Sequence, residues 1–239
     1  MKNLSIVIPC YNESEAIPNL FNICRKCCED RNDIEFIFVD NGSTDSTNLI
    51  FNELLSNPLN IFAKLVSIKK NIGYGNGIIQ GLNSANGKIL AWTHADLQTD
   101  PKDVVLAYEK YKECLFYNLC IVKRNRIKRN VFDQFFTFGM SLFSSFMLKK
   151  KLFDVNAQPK IFNKIFYKDL INPPNDFSLD LFLLYSALDK GLTINSFPVI
   201  FKNRHSGIAK GGGTLKGKIK LINRTFNYIL SLRRKLQNK

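Results

Sequence analysis

The amino-acid sequence predicts an α/β fold with a mostly parallel central sheet, on the basis of three observations. Short apolar runs rich in Ile, Val, Leu and Phe alternate with longer segments of helical periodicity through the first half of the chain. Several of these runs end in Asp, Asn, Gly and Ser, as expected at the carboxyl edge of such a sheet. The length of 239 residues suffices to bury a full core, as one large or two small domains.

The first half is expected to contain five strands, at residues 4–9, 34–39, 63–67, 88–92 and 119–122. Helices are expected between them at residues 13–29 and 45–55, from the glycine-rich segment 71–77 to about residue 85, and from Pro101 onward. Asn12 or Ser14 would cap the first helix, and Ser43, Thr44 or Asp45 the second, because their side-chain oxygens can accept hydrogen bonds from the first backbone N–H groups of a helix.

The second half is less regular. Helices are predicted at residues 133–148, 177–190 and 215–236, with short strands at 160–162 and 193–201 and a basic, glycine-rich loop at 207–217. No repeat or low-complexity linker divides the chain. We therefore expect a catalytic domain at residues 1–210 and a basic amphipathic C-terminal helix at 211–239.

The net charge of +14 is concentrated in the second half of the chain. Residues 1–122 contain 11 basic and 14 acidic residues, whereas residues 123–239 contain 23 basic and 6 acidic residues. This asymmetry indicates a polyanionic partner such as anionic lipid, a phosphorylated ligand or nucleic acid. A solvated, solubilising surface is the alternative. Nucleic acid is excluded from the expected partners, because no stacking aromatic pattern or known reader motif accompanies the charge.

Cysteine pattern and hydropathy narrow the class of protein. Cys24 and Cys27 have the spacing of a metal-binding pair, but no second pair exists and both His residues are distant, so reduced, buried or half-buried thiols are predicted. No run reaches the roughly 18 apolar residues of a membrane span, and the apolar start is too short for a secretory signal. The site is therefore expected to face the cytoplasm, on a protein peripheral to the inner face of the cell membrane.

Residues 93–101, directly after the fourth predicted strand, are the most informative for chemistry. Asp96 and Gln98 stand two residues apart, so on an extended segment their side chains point the same way. Such oxygen ligands suit Mg²⁺ or Mn²⁺ holding a diphosphate. Glu13 and Asp40 follow two other predicted strands and could accept hydrogen bonds from a ribose or a base. Helix capping is the structural alternative for Glu13, Ser43 and Asp45.

Four motifs in order resemble the family 2 glycosyltransferases of the GT-A fold, above all the dolichyl- and polyprenyl-phosphate sugar synthases. They are Ile6-Val-Ile-Pro-x-Tyr-Asn-Glu13, Val39-Asp-x-Gly-Ser-Thr-Asp45, Asn71-x-Gly-Tyr-Gly75 and Ala95-Asp-Leu-Gln98. The resemblance covers residues 3–210. It implies that the nucleotide of a sugar-nucleotide donor lies against Pro9, Tyr11, Glu13 and Asp40, and that Asp96 and Gln98 ligate Mn²⁺ or Mg²⁺ on its diphosphate.

The same resemblance implies roles for residues of the second half. Segment 201–210 matches a basic segment of the family, in which Arg204 and Lys210 would grip a phosphate. Arg126 takes the place of a family arginine near the donor or acceptor phosphate, with Arg129 as a second candidate. Asp180 falls near a family acid and is either a general base for a hydroxyl acceptor or a structural acid. A solvated basic loop is the alternative for segment 201–210.

Three positions depart from the family pattern. His94 replaces the first acid of the family's metal-binding segment, which corresponds to residues 93–101 (the metal tract). Neutral imidazole can ligate Mn²⁺, or His94 can hydrogen-bond a phosphate. We therefore predict Mn²⁺ dependence, with Asp96 and Gln98 as the surer ligands. Arg124 stands where glycine is usual, and segment 154–158 lacks the Gly and Phe of the family's acceptor segment.

Two apolar segments bear on membrane contact. The tail places apolar residues on one helical face and basic residues mostly elsewhere, a pattern typical both of an interfacial helix on anionic lipid and of a helix packed on its own domain. The apolar face consists of Leu215, Ile219, Ile222, Phe226, Ile229 and Leu230. A second stripe, which is either core or a membrane contact, consists of Phe132, Phe135, Phe136, Met140, Phe143 and Met147.

The expected function is inverting transfer of a sugar from a nucleoside-diphosphate donor to a polyprenyl phosphate or a lipid-linked glycan at an anionic membrane surface. Stereochemical inversion is implied by the resemblance. The first alternative is a transferase acting on a hydroxyl of a surface-polysaccharide intermediate, with Asp180 as the base. The second is a non-catalytic nucleotide-sugar-binding membrane protein.

Overall fold

A computed structural model of the protein describes residues 1–127, 131–200 and 215–237. The strands are β1 (Leu4–Cys10), β2 (Ile34–Asn41), β3 (Ala63–Ile68), β4 (Ile89–Trp92), β5 (Cys120–Ile127), β6 (Lys160–Asn163) and β7 (Thr193–Ile200). The helices are α1 (Ile17–Lys26), α2 (Thr47–Ser56), α3 (Tyr74–Asn83), α4 (Pro101–Lys110), α5 (Lys112–Phe116), α6 (Val131–Leu148), α7 (Lys164–Lys168), α8 (Leu179–Asp189) and α9 (Leu215–Gln237).

The strands form one sheet in the order β3-β2-β1-β4-β6-β5-β7. β1 pairs in parallel with β2 and β4, β2 with β3, and β5 with β7, whereas β6 is antiparallel to both of its neighbours. The predicted α/β class with a mostly parallel sheet is thus confirmed. The chain proceeds from β1 outward to β3 and then returns to place β4 on the other side of β1, so that a crevice opens between the carboxyl ends of β1 and β4.

The sheet is buried on both faces, which explains why its first two strands are almost continuously apolar. One core cluster joins Leu4, Ile6 and Ile8 of β1 to residues of α1 and α4. The opposite cluster joins Val7 of β1 to residues of α3, α8 and α9. The sheet is therefore the middle layer between two sets of helices.

The C-terminal helix packs on the rest of the protein. Ile229 of α9 is fully buried, and Phe226 stacks on Phe143 of α6 with ring centroids 4.6 Å apart. Arg233 Nη1 also donates to the Met147 carbonyl oxygen of α6, at 3.4 Å. One face of the predicted amphipathic tail therefore lies against protein. Among the described residues, no helix combines the length and the apolar character needed to cross a bilayer.

Several predicted boundaries were wrong for identifiable reasons. α1 begins at Ile17, not at residue 13, because the Asn12 side chain accepts a hydrogen bond from Thr44 N (2.7 Å) in the neighbouring loop instead of capping the helix. β5 continues to Ile127 rather than ending at residue 122, because β7 pairs with it along its whole length. The short helices α5 and α7 were not predicted.

The cysteine prediction is confirmed where it was made. Cys24 is buried and free, and Cys27 is half-buried and free. Burial and the neighbouring Asp100 carboxylate raise the pKa of Cys27 to about 11, so the thiol form is favoured at neutral pH. Cys114 and Cys120 form a disulfide that the sequence pattern did not indicate.

A buried carboxylate, Glu35 of β2, joins neighbouring strands at the amino-terminal ends of the parallel strands. Glu35 Oε1 accepts hydrogen bonds from Ser5 Oγ (2.6 Å) and Asn86 N (2.7 Å), and Lys64 Nζ lies 3.6 Å from Oε2. Burial alone raises the pKa of this carboxyl, but these hydrogen bonds and Lys64 outweigh burial and place the pKa below its usual value. Glu35 therefore stabilises the fold in its ionised form.

We predict that Glu35→Gln lowers the free energy of unfolding by about 1–3 kcal/mol at neutral pH, because the buried donors lose a charged acceptor. Since the folded pKa is depressed, the contribution of Glu35 is present above the unfolded pKa of about 4.3 and is lost as the pH falls through the lower folded value. Urea unfolding across this pH range measures it. Glu53→Gln, at an exposed position of α2, is the control and should change little.

Candidate active site

Side-chain hydrogen bonds join the loop after β1 to the loop after β2. Asn12 N donates to Ser43 Oγ (3.0 Å) and Glu13 N donates to Thr47 Oγ1 (3.0 Å). Asp45 accepts from Thr47 N (3.0 Å) and Ser14 N (3.2 Å). Asp45 thus binds the start of α2, as the capping alternative proposed, and also ties the two loops together.

Asp40 lies at the end of β2 in a fixed orientation. Its carboxylate is 4% exposed and accepts hydrogen bonds from Ser43 N (3.0 Å) and Asn48 Nδ2 (2.9 Å). Pro9, Tyr11 and Glu13 are half-buried on the adjoining end of β1. The structure therefore places these four predicted nucleotide-binding residues on adjacent strand ends beside the crevice.

Two glycines of the predicted motifs are required by close backbone approach. Gly42 has φ +73°, and a Cβ there would lie 2.5 Å from Asn71 N. A Cβ on Gly75, in the first turn of α3, would lie 2.5 Å from the Pro174 carbonyl oxygen. The glycine-rich segment at the start of α3 therefore packs against the backbone before α8.

The metal tract forms a compact loop after β4. Gln98 N donates to Asp96 Oδ1 (3.2 Å), Leu97 has φ +54°, and the hydroxyls of Thr93 and Thr99 lie 3.3 Å apart beneath the loop. His94, Asp96 and Gln98 are all half-buried at the mouth of the crevice. No group of three His, Cys, Asp or Glu side chains able to hold a metal occurs among the described residues. An ion here would therefore complete its coordination with oxygens of a ligand.

His94 faces an aromatic stack. The centroid of the His94 ring lies 6.5 Å from that of Tyr74. Phe177 also stacks on Tyr74, with ring centroids 4.5 Å apart and nearly parallel ring planes. Burial lowers the pKa of His94; the nearby Asp96 carboxylate opposes this shift and the Arg124 guanidinium reinforces it. The imidazole is therefore neutral at neutral pH, the form that can ligate a metal.

A polar network continues from Tyr74 into the core. Gln158 Nε2 donates to Tyr74 Oη and lies 3.3 Å from Asp180 Oδ2. Lys160 Nζ lies 2.7 Å from Asp180 Oδ1 and donates to the Val155 carbonyl oxygen at 2.8 Å. Lys160 was not among the predicted site residues.

Asp180 and Lys160 form a fully buried ion pair, with side chains 2% and 0% exposed. Burial lowers the pKa of Lys160, and the Asp180 carboxylate opposes that shift by favouring the charged ammonium. Both Asp180 oxygens are occupied by donors, from Lys160 and Gln158. This arrangement favours the structural alternative for Asp180 over a general base.

The remaining basic candidates differ in how far the structure describes them. Arg124 is buried in β5. Arg126 follows on the same strand, and its side chain lies outside the described residues. Arg129, Arg204 and Lys210 also lie outside them.

Comparison with protein families bears directly on this site. The model of glycosyl transferase family 2 matches residues 5–167, which include β1, β2, the metal tract and Lys160. The chain belongs to glycosyl transferase family 2. The sequence resemblance to this family is thus confirmed, together with the glycosyltransferase class of the enzyme.

Curated relatives of this family 2 chain include undecaprenyl-phosphate 4-deoxy-4-formamido-L-arabinose transferases. The protein of that name from Photorhabdus laumondii is 32% identical over 105 residues, which are 44% of this chain and 32% of the relative. The one from Pectobacterium carotovorum is 35% identical over 106 residues, again 44% and 32% of the two chains. The matches thus span about a third of the length of these relatives.

Solved structures similar to the family 2 chain are glycosyltransferases. Glucosyl-3-phosphoglycerate synthase from Mycobacterium tuberculosis, in complex with Mn²⁺ and UDP, is 17% identical with a TM-score of 0.72, over 97% of this chain and 80% of that one. A mannosyltransferase from Pyrobaculum calidifontis, in complex with GDP-mannose and Mn²⁺, is 17% identical with a TM-score of 0.63, over 88% and 58%. These likenesses confirm the GT-A fold.

We predict that Lys160→Met lowers the free energy of unfolding by about 3–5 kcal/mol, because it leaves the Asp180 carboxylate buried without its cation. The double variant Lys160→Met/Asp180→Leu should lose much less than the sum of the two single variants, since it leaves no buried charge. Urea unfolding of all four proteins measures this coupling. Strictly additive losses would contradict the ion pair.

Proposed function

We propose that this protein transfers a sugar from a nucleoside-diphosphate donor to a polyprenyl phosphate, with inversion at the anomeric carbon. The observation that carries the proposal is the buried Asp180, whose two oxygens are engaged by Lys160 and Gln158. An acceptor hydroxyl must lose a proton to a base, whereas an acceptor phosphate is ionised near neutral pH. Because the candidate base of this site is engaged in an ion pair, the site favours an acceptor phosphate, which needs no base.

The names of the relatives support the same acceptor class. Their matching segments are confined to about a hundred residues, and they act on undecaprenyl phosphate according to their names. In the proposed reaction, a phosphate oxygen of the acceptor bonds to the anomeric carbon as the bond from that carbon to the donor diphosphate breaks. The nucleoside diphosphate departs with the electron pair of that bond.

The donor would lie in the crevice between β1 and β4. Its nucleoside would rest against Pro9, Tyr11, Glu13 and Asp40, and its diphosphate would extend toward the loop after β4. Arg126, Arg204 and Lys210 are proposed to bind donor or acceptor phosphates, because their positions match basic positions of the family motifs.

The metal tract fits a divalent cation held partly by the donor. Asp96 supplies a carboxylate oxygen, Gln98 an amide oxygen and His94 a neutral imidazole nitrogen, on one short loop. A cation such as Mn²⁺ or Mg²⁺ that keeps only a few protein ligands commonly takes the rest from substrate phosphates. When bound, it would stabilise negative charge on the departing diphosphate. The imidazole in place of a second carboxylate favours Mn²⁺.

The cellular setting proposed for this reaction is the cytoplasmic face of the cell membrane, where the acceptor presents its phosphate. Residues 1–210 would carry the chemistry, and residues 211–239 would add a basic helix. The second candidate function, transfer to a hydroxyl of a surface-polysaccharide intermediate, would require Asp180 to leave its ion pair and act as base.

The function is tested by release of nucleoside diphosphate from a panel of UDP- and GDP-sugars, with and without polyprenyl phosphate. We expect release from one donor that requires both the lipid phosphate and Mn²⁺, and that stops in excess chelator. Asp96→Asn should reduce this release by about 100-fold or more, because the cation loses its carboxylate ligand. Asp30→Asn, at an exposed position, is the control. Full release in chelator would contradict the metal assignment.

Asp180→Asn distinguishes the two acceptor classes. The amide can still accept a hydrogen bond from Lys160, so with a phosphate acceptor we expect kcat to fall by no more than about tenfold. A hydroxyl acceptor would lose roughly 100-fold or more, the typical contribution of a general base. Single-turnover rates with saturating donor measure the effect, and urea unfolding of the same variant separates it from loss of fold.

A further inference from the structure

Helix α6 exposes a row of large apolar residues and buries two serines. Ser141 and Ser144 are 4% and 0% exposed, whereas the larger and more apolar Phe138, Leu142 and Phe146 are 60%, 62% and 75% exposed. The exposed three are spaced four residues apart and therefore lie along one face of the helix. A helix at the surface of a water-soluble protein normally exposes its polar residues and buries its apolar ones.

Two serines of α6, the buried Ser141 and the half-buried Ser145, bind the chain that follows the helix. Ser141 Oγ accepts a hydrogen bond from Asp154 N (3.1 Å), and Ser145 Oγ accepts one from Leu152 N (2.9 Å). Both hydroxyls also donate to carbonyl oxygens one turn back in α6. This strip of the helix is thus polar because it binds the backbone of the chain that returns toward β6. Among the described residues, nothing comparable accounts for the apolar residues on the outward face.

The second apolar stripe named from the sequence, predicted to be either core or a membrane contact, is only partly described by the structure. Met140, Phe143 and Met147, which belong to the stripe named from the sequence, pack against the core cluster that contains Leu148 and Ile229. The side chains of Phe132, Phe135 and Phe136 lie outside the described residues. The exposed face of α6 is therefore a different set of residues, namely Phe138, Leu142 and Phe146.

Phe153 and a run of lysines border this face. Phe153 is 57% exposed, and Lys123 Nζ lies 5.7 Å from its ring centroid. Lys149 and Lys151 are exposed at the end of α6, while Lys150 pairs with Asp189 at 3.4 Å. Aromatic side chains flanked by exposed cations match an anionic lipid surface, where rings enter the boundary of the acyl chains and lysines meet the headgroups.

The connectivity places both ends of the segment that contains α6 at the same edge of the sheet as the crevice. β5 is parallel to β4 through their shared antiparallel neighbour β6, so α6 follows the carboxyl end of β5. β6 begins at that same edge, since Lys160 pairs with Trp92, the last residue of β4. The segment 131–159 therefore leaves and re-enters the sheet at the edge where the proposed donor and acceptor meet.

We propose that the α6 face formed by Phe138, Leu142 and Phe146, together with Phe153, Lys149 and Lys151, docks on an anionic lipid bilayer. The inference rests on the proposed function in one respect: a polyprenyl phosphate can reach the crevice from the bilayer if the docked face adjoins the crevice edge. It assigns membrane contact to α6, whereas α9 has one face packed on the protein.

Co-flotation of the full chain with vesicles tests the docking face. We expect the unaltered protein to float with phosphatidylcholine vesicles containing phosphatidylglycerol, and Phe138→Ser/Phe146→Ser to bind them about tenfold or more weakly. The matched control is Leu59→Ser/Ile61→Ser. It removes two apolar residues that are 82% and 81% exposed before β3, at the opposite edge of the sheet. This control should bind like the unaltered protein.

A second variant tests the lysines that border the apolar face. Lys149→Gln/Lys151→Gln should weaken binding to the anionic vesicles by about tenfold and leave binding to pure phosphatidylcholine vesicles unchanged. The proposal is overturned if the unaltered protein does not float, or if the double Phe variant floats equally well. It is also overturned if gel filtration shows a dimer that the double Phe variant dissociates while vesicle binding persists, because the face would then join two copies of the chain.

Transfer to a water-soluble, short-chain prenyl phosphate separates this inference from the proposed function. If docking fails while transfer to the short acceptor proceeds, the function stands and the docking face is wrong. If the protein floats as expected but transfers to neither acceptor, the docking face stands and the function is wrong. The double Phe variant should retain transfer to the short acceptor, because neither residue lies in the crevice.

Discussion

The site depends on the buried ion pair between Lys160 and Asp180. It joins the antiparallel strand β6 to helix α8, and through Gln158 it reaches Tyr74 at the start of α3. Tyr74 in turn stacks toward His94 of the metal tract. A buried ion pair is tolerated because each charge neutralises the other and further hydrogen bonds satisfy the remaining donors and acceptors of both side chains. Removal of either partner would leave the other charge buried, so the pair fixes the geometry of the crevice wall.

The sheet topology explains why this wall adjoins the crevice proposed for the donor. The order of strands reverses between β1 and β4, which opens the crevice, and β6 begins beside the last residue of β4. The loops after β1 and β2 are joined by their own side chains, so Asp40 and the loop after β1 form one rigid side. The fold of this family 2 glycosyltransferase thus presents two hydrogen-bonded loops and a charged inner wall at one edge of the sheet.

Local sequence patterns predicted the strands and the acidic residues that follow them, because both depend on local structure. The apolar runs gave the strands of the parallel sheet, and the acids after them, Asp40 and Asp96, lie at its carboxyl edge as predicted. Lys160 was missed because its partner Asp180 is 20 residues away and no sequence pattern pairs them. The sequence left the apolar stripe of α6 as either core or membrane contact, since apolar residues occur all around the helix and only tertiary packing decides which face is buried.

The most direct test of the central claim is mass spectrometry of the lipid fraction after incubation with the preferred nucleotide sugar, Mn²⁺ and a polyprenyl phosphate. The account predicts a lipid heavier by one glycosyl residue that retains its phosphate, formed in step with release of nucleoside diphosphate. An unchanged lipid phosphate, with the sugar recovered free or on a glycan hydroxyl, would contradict it.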